Sequence, residues 1–162
     1  MTNADTVQRL ALGVAAGLAA TFVIQGLQAV GQNVRPQSMP PLKQDPGEFM
    51  IQKAEEQVAP AIRARIPPRV EKAAATSLAL GYGATFGALY AASRPEVESV
   101  LSEGSALGVA TWAAGYLGWL PATGLMPPIT RQNAEQILGA VASHILFGIA
   151  TVGLYRLLCK AV

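Results

Sequence analysis

The sequence contains an apolar run, Leu10–Val30, that holds no charged residue. An α-helix needs about 20 apolar residues to cross roughly 30 Å of hydrocarbon, so this run has the length of one membrane crossing. Three further apolar stretches lie at about 73–92, 105–120 and 137–158. We therefore predict an all-α fold, a polytopic membrane four-helix bundle that forms a single membrane domain over residues 1–162.

Composition supports lipid as the solvent of this chain. Charged residues make up only 14% of it, against roughly 25% in ordinary soluble domains, and 51% of its residues are hydrophobic. The net charge of +2 is too small for phosphate-driven binding, so we expect membrane lipids and no nucleic acid among the partners. The single cysteine, Cys159, excludes an intrachain disulfide and a multi-thiolate metal site, and the sequence indicates no metal or cofactor.

The third stretch is short for a membrane crossing. At about 1.5 Å per residue, 105–120 reaches only about 24 Å before Pro121 interrupts it. Ser93 and Pro95 resemble a helix cap followed by a first-turn proline. We therefore expect one long helix that begins near Pro95, lies partly in the interface and then crosses.

The connection 31–72 is polar and rich in proline. Its Asp-Pro-Gly-Glu sequence at 45–48 has the spacing of a capped helix start, and apolar residues follow at helical intervals. This pattern predicts an amphipathic helix from Pro46 to Arg65, bent at Pro60, on the membrane surface or over the mouth of the bundle. The alternative interpretation is a solvated linker helix that does not contact the membrane, since such a helix would have a similar composition. Three arginines of this segment are expected to contact lipid phosphates or a partner: Arg63, Arg65 and Arg69.

The distribution of Lys and Arg predicts an orientation. Four crossings place 31–72 and the connection after the third span on one side of the membrane, with both termini on the other. Most of the 12 Lys and Arg residues lie on the side of the two connections. The positive-inside rule then places the long loop in the cytoplasm.

Glycines recur at four-residue spacing in three of the predicted spans. In lipid this spacing lets two helix backbones approach closely, either within the chain or between subunits. The glycines concerned are Gly13 and Gly17, Gly83 and Gly87, and Gly104 and Gly108.

A few polar residues lie inside the predicted spans, where such side chains usually face the interior of a bundle. Those that we single out as a cluster are Gln25, Gln28, His144 and Thr151. We expect His144 to face the bundle interior and to hydrogen-bond to Gln25, since both are displaced from the midpoints of their spans towards the long loop. A structural hydrogen bond is one interpretation and a polar transport path is the other.

The segment 120–128, Leu-Pro-Ala-Thr-Gly-Leu-Met-Pro-Pro, is followed by Glu135, His144 and Arg156. This order resembles the C-terminal part of the YagU-like family of small bacterial inner-membrane proteins, and the resemblance extends more loosely to span one and to Met-Pro-Pro at 39–41. It covers about half of the chain. Because that family has no agreed activity, the resemblance implies a multi-pass protein of the bacterial cytoplasmic membrane and no substrate.

Motifs of catalysis are missing from the sequence: it has no nucleophile elbow, no phosphate loop, no HExxH and no pair of acids inside a span. We therefore expect a non-catalytic membrane protein, either an accessory subunit packed against other membrane subunits or a self-associating bundle. A small channel or transporter that uses Gln25, Gln28 and His144 is an alternative. A haem- or quinone-contacting subunit that uses His144 is another, although one histidine cannot supply two axial ligands.

Overall fold

The computed structural model describes residues 3–34, 42–43, 45–94 and 96–162. These residues are mostly helical and form no β-strand, so the prediction of an all-α chain is confirmed for the described part. Met39-Pro40-Pro41, part of the family resemblance, lies outside it. The elements, in chain order, are α1 (Asn3–Val34), α2 (Pro46–Glu55), α3 (Pro60–Arg63), α4 (Pro68–Ser93), α5 (Val100–Trp112), a π-helical segment (Ala113–Trp119), α6 (Leu120–Ala122), a 3₁₀ turn (Ile129–Arg131) and α7 (Ala134–Ala161).

Two of the described helices are long and apolar enough to cross a membrane, judged by length and composition. They are Asp5–Gly31 of α1 and Ala134–Ala161 of α7, with mean hydropathies of 1.9 and 2.0. Only 28% of the most apolar window of each is buried inside the protein, whereas the core helix of a soluble protein is mostly buried. Both expose large apolar side chains, for example Phe22 and Leu138. Such a surface suits contact with lipid.

The six predicted glycines all lie at helix crossings within the chain. A Cβ added at Gly13 would lie 2.5 Å from the Gly87 carbonyl oxygen, and Gly17 faces the Gly83 carbonyl in the same way, so α1 and α4 meet backbone to backbone. A Cβ at Gly104 would lie 2.5 Å from the Cα of Ile149 on α7. Gly108 is similarly close to the backbone of α7, at His144 and Ile145. Two close helix pairs, α1 with α4 and α5 with α7, result.

Contacts between α1 and α7 join these two pairs. Two tyrosines of α4 link it to α5: the Tyr82 hydroxyl donates to the Thr111 carbonyl oxygen at 3.1 Å, and the Tyr90 hydroxyl donates to Oε2 of Glu103 at 2.6 Å. Tyr90 also packs edge-on against Tyr155, with ring centroids 5.7 Å apart. The end of the assembly near the chain termini is therefore filled by packed side chains.

The helix of the third stretch does not begin near Pro95. Pro95 itself lies outside the described residues, but residues 96–99 are not helical and α5 begins at Val100. Ser99 is the N-cap, and its hydroxyl accepts from the Ser102 amide at 3.3 Å. The Glu103 carboxylate then accepts the backbone amides of Glu98 and Ser99, at 2.8 and 2.9 Å. These bonds satisfy the amides that a helix start leaves free, which explains why the helix starts here.

Burial raises the pKa of the Glu103 carboxyl, but hydrogen bonds from the Tyr90 hydroxyl and from the Ser99 and Glu98 amides lower it by more. Its pKa therefore lies below the ordinary value of 4.5. The carboxylate is held charged at the turn between α4 and α5, where it ties both helices to their connection.

The segment Pro46–Arg65 forms two short helices, not one bent helix. Asp45 caps α2 as its carboxylate accepts the Glu48 amide at 3.0 Å, but α2 ends at Glu55, before Pro60. Ala59 has an extended ψ of 136°, the conformation that a following proline favours, and α3 starts after it. The proline therefore starts a new helix at this point.

The segment 42–50 covers one end of the helix assembly. The Lys43 amide donates to the Leu125 carbonyl oxygen at 3.1 Å, and Leu42 and Phe49 pack against a buried cluster that contains Tyr116 and Leu125. On the other side, a Cβ at Gly47 would lie 2.6 Å from the Ala75 carbonyl oxygen, so α2 lies tightly on α4. Residues 42–50 therefore lie over this end of the helices.

Candidate ligand-binding cavity

A cavity of about 870 Å³ lies under the 42–50 segment. α1, α4, the π-helical segment and α7 form its walls, and the residues around Pro46 form its roof. Most of its lining is apolar, and includes Ile24, Met50, Leu78 and Phe147. Binding sites for small molecules in proteins have volumes of about 300 to 1,000 Å³ and are lined in this way, with a few polar groups among apolar ones.

Three of the four predicted polar residues meet at this cavity. Gln25 and Gln28 line it from α1 and His144 lines it from α7. Thr151 does not: it is fully buried, and its hydroxyl donates to the Phe147 carbonyl oxygen of its own helix at 2.9 Å. Thr151 lies two turns beyond His144 towards the packed end, so the cavity does not extend along the whole of α7.

His144 makes a different hydrogen bond from the predicted one. Its Nδ1 donates to the Ala140 carbonyl oxygen at 2.8 Å, one turn back along α7, and no bond to Gln25 is formed. The carbonyl four residues earlier on the same helix is always within reach of such a side chain, whereas a bond to Gln25 would require α1 to lie at the right distance. This difference explains why His144 bonds to Ala140. The ring stands edge-on to Tyr116, with centroids 5.4 Å apart and planes at 83°. The two rings therefore contact each other edge to face at the cavity wall.

Four hydroxyl groups of the lining also donate to backbone carbonyls. Thr21 donates to Gly17 at 2.8 Å and Thr111 to Gly108 at 2.8 Å. Ser143 donates to Ala140 at 2.9 Å, and Tyr82 bonds to Thr111 as described above. Each of these oxygens has used its only proton, so what it can offer to a molecule in the cavity is a lone pair.

Charge is scarce around the cavity. Asp45 is the single ionisable acid or base among the lining residues apart from the tyrosines and His144, and its carboxylate caps α2. In the described part of the chain, no Lys or Arg lines it. The described residues also hold no group of three or more His, Cys, Asp or Glu side chains that could bind a metal ion. The lining therefore suits an uncharged molecule.

The π-helical segment shapes one wall of the cavity. Ala113–Trp119 departs from α-helical geometry, and Gly118 within it has φ −101° and ψ −111°. Gly115, Tyr116 and Trp119 of this segment line the cavity. A π-bulge widens a helix locally and occurs often at functional sites. Here it turns two large aromatic side chains towards the same space.

The three predicted arginines lie away from the cavity. Arg63 ends α3, Arg65 follows it and Arg69 lies in the first turn of α4, and all three are exposed. Ile62 beside them is 59% exposed. Basic and apolar side chains thus share one exposed segment at the loop end of the helices.

Several lining residues carry no clear signal in the sequence. Tyr82 and Ser143 lie within predicted spans but belong to no motif, and the π-helical segment has no established sequence signature. The short length of 105–120 and its glycines, Gly115 and Gly118, were the available signals that this helix is irregular.

Comparison of the chain with known protein families, with curated proteins and with solved structures found no match.

Proposed function

We propose that the chain is a non-catalytic, multi-span protein of the bacterial cytoplasmic membrane that binds a small amphipathic molecule in the cavity between its helices. The observation that carries the proposal is the cavity of about 870 Å³, in which Gln25, Gln28 and His144 meet in an otherwise apolar lining. Of the functions that the sequence suggested, the small channel or transporter that uses Gln25, Gln28 and His144 is the one this geometry favours.

Four membrane crossings are part of the proposal. α1 and α7 have the length and hydropathy of spanning helices, and the glycine contacts pack α4 against α1 and α5 against α7. Helices that contact a spanning helix along a glycine face are well placed to cross with it. The π-helical segment extends the third helix from Val100 to Ala122, which increases its reach beyond that of 105–120 alone.

The proposed orientation places the cavity near the cytoplasmic side. It lies at the end covered by 42–50, and this connection belongs to the side with most of the Lys and Arg residues. The end near the termini is packed around Tyr90 and Tyr155. A molecule in the cavity would therefore exchange with the cytoplasmic leaflet or with the cytoplasm. The resemblance to the YagU-like family agrees with a cytoplasmic-membrane location.

A role as an accessory subunit is the weaker proposal. It rested on the missing catalytic motifs and on glycine faces that could dock to another chain. Four of these glycines, Gly13, Gly17, Gly83 and Gly87, pack between α1 and α4 instead. A protein that binds a ligand by itself needs no partner subunit. Binding of the ligand by the isolated chain is therefore the property to test.

The test is binding of the fluorescent probe 1-aminoanthracene to the protein in lipid nanodiscs, with empty nanodiscs as the blank. Ala79 lines the cavity from α4, so Ala79→Phe should fill part of it and weaken binding about tenfold, the effect of about 1.4 kcal/mol of overpacking. Ala73 lies on the same helix, exposed and outside the lining, so Ala73→Phe should bind like the wild type. Equal binding by Ala79→Phe and the wild type, or binding no greater than that of empty nanodiscs, would contradict the proposal.

A further inference from the structure

We infer that the molecule bound in the cavity is a neutral amphiphile whose polar head is a hydroxyl group, an alcohol or a phenol, placed against His144. This inference rests on the proposed function, because it names the class of ligand for the same cavity. It follows from the hydrogen-bonding capacity that the lining has left after its internal bonds are made.

The protonation of His144 is set by its partner. The Ala140 carbonyl oxygen can only accept a hydrogen bond, so Nδ1 must carry the proton that joins them. A charged imidazolium would need a carboxylate or water to offset its burial, and no described acid pairs with this ring. The ring is therefore neutral, and Nε2 is an acceptor for which residues 3–34, 42–43, 45–94 and 96–162 provide no hydrogen-bond partner.

Two other accessible hydroxyls of the lining behave in the same way. Tyr82 and Ser143 each donate to a backbone carbonyl, so they too can only accept from a ligand. Thr21 and Thr111 make similar bonds but are buried. A ligand that cannot donate a hydrogen bond, such as an ether or a quinone carbonyl, leaves this acceptor surface unpaired. An unpaired buried acceptor weakens binding because its bond to water is lost.

Donors also line the cavity. The amides of Gln25 and Gln28, the Tyr116 hydroxyl and the Trp119 indole each carry a proton and line the cavity. A hydroxyl group donates one hydrogen bond and accepts others, so it can pair both with His144 and with a donor of this kind. An ammonium group only donates, and an ether only accepts. The hydroxyl is the head group that uses both the acceptors and the donors of the lining.

Charge argues against an anionic head. Among the described residues no Lys or Arg lines the cavity, and Asp45 adds a negative charge at the roof. A carboxylate or phosphate would lose its hydration without gaining a cation, and the acceptor-rich wall would repel it. Fatty acids and phospholipid head groups are thus poor candidates for this position.

The test compares three competitors that share one tail: 4-nonylphenol, 4-nonylanisole and 4-nonylbenzoate. Each displaces 1-aminoanthracene from the protein in nanodiscs, and each concentration is corrected for partition into empty nanodiscs. The phenol should compete about 2- to 10-fold more strongly than the anisole, the value of one net hydrogen bond, and the benzoate should be the weakest.

Two variants test whether the advantage of the phenol over the anisole depends on His144 and Tyr82. His144→Phe keeps the aromatic contact with Tyr116 but removes the Nε2 acceptor, so the phenol should lose its advantage while the anisole binds as before. Tyr82→Phe removes a second acceptor and should reduce the advantage in part. The matched control is Leu146→Phe, at a residue of α7 that is 50% exposed and outside the lining, and it should leave all three affinities unchanged.

The possible outcomes distinguish a failure of the hydroxyl inference from a failure of the proposed ligand-binding function. Equal competition by phenol and anisole, or strongest competition by benzoate, would overturn the hydroxyl head group while the cavity remains a binding site. An advantage of the phenol that persists in His144→Phe would overturn the role of His144. Failure of all three competitors, together with no binding of 1-aminoanthracene above the blank, would overturn the proposed function itself.

Discussion

Substitution of Gly13 by alanine should separate α1 from α4 and destabilise the protein. The new Cβ would lie 2.5 Å from the Gly87 carbonyl oxygen and 2.6 Å from the Ala91 Cβ, whereas ordinary van der Waals contact begins at 3.4 Å. The helices must therefore move apart by roughly 0.9 Å at this point, the difference between 3.4 and 2.5 Å. A gap of about 0.5 to 1 Å removes a quarter to a half of the dispersion energy of the atoms that face it. Overpacking of this kind costs about 1 to 3 kcal/mol.

Gly26 supplies a matched control on the same helix. Nothing lies within 4 Å of a Cβ added there, so Gly26→Ala carries the helix-propensity gain of about 0.5 to 1 kcal/mol and no clash. That gain is common to both variants and cancels in their difference. Gly13→Ala should therefore be less stable than Gly26→Ala by about 1 to 3 kcal/mol in reversible SDS unfolding from mixed micelles, followed by far-UV circular dichroism. Equal stabilities, or a more stable Gly13→Ala, would refute the close backbone crossing.

Two further predictions concern the ends of the helices. Glu103→Gln should lower the free energy of unfolding by about 1 kcal/mol at neutral pH. Because the folded pKa of Glu103 is lowered, its contribution is complete above about pH 4.5 and is lost as the pH falls through the folded value, so wild type and variant should converge in acid unfolding curves. Charge reversal of the exposed Arg63, Arg65 and Arg69 should weaken flotation of the protein's 46–72 peptide with anionic vesicles, and should leave its weak association with neutral vesicles unchanged. Unchanged flotation with anionic vesicles would leave these arginines without a role in lipid contact.

The sequence was most informative about the helices. Apolar runs such as Leu10–Val30 lie inside longer helices, here α1, because apolar length is a property that a local stretch of sequence carries by itself. Helix starts were harder to predict. Ser93 and Ser99 are both plausible N-caps, and the choice of Ser99 depends on Glu103, which also bonds Tyr90 from another helix. A cap stabilised by a tertiary contact cannot be ranked from the local sequence alone.

The glycine spacing predicted close helix contacts but not which helices would pair. Gly13 and Gly17 on α1 face Gly83 and Gly87 on α4, and each pair has the same spacing. The partner of Gly104 and Gly108 is different, because α7 offers a single glycine, Gly148, at their crossing. Spacing alone therefore does not identify the partner helix.

The failed prediction for His144 indicates what distinguishes a binding cavity from a packed interior. Had Nδ1 bonded to Gln25, two wall residues would have satisfied each other and closed the space between α1 and α7. Instead His144 and Ser143 both donate to the Ala140 carbonyl oxygen, and Thr21 donates to Gly17 within α1. His144, Ser143 and Thr21 thus place their protons within their own helices, so a ligand beside them would not have to break a bond between α1 and α7. The Tyr82–Thr111 bond joins α4 to α5 and leaves the space between α1 and α7 open. Binding there need not be opposed by reorganisation of these two helices.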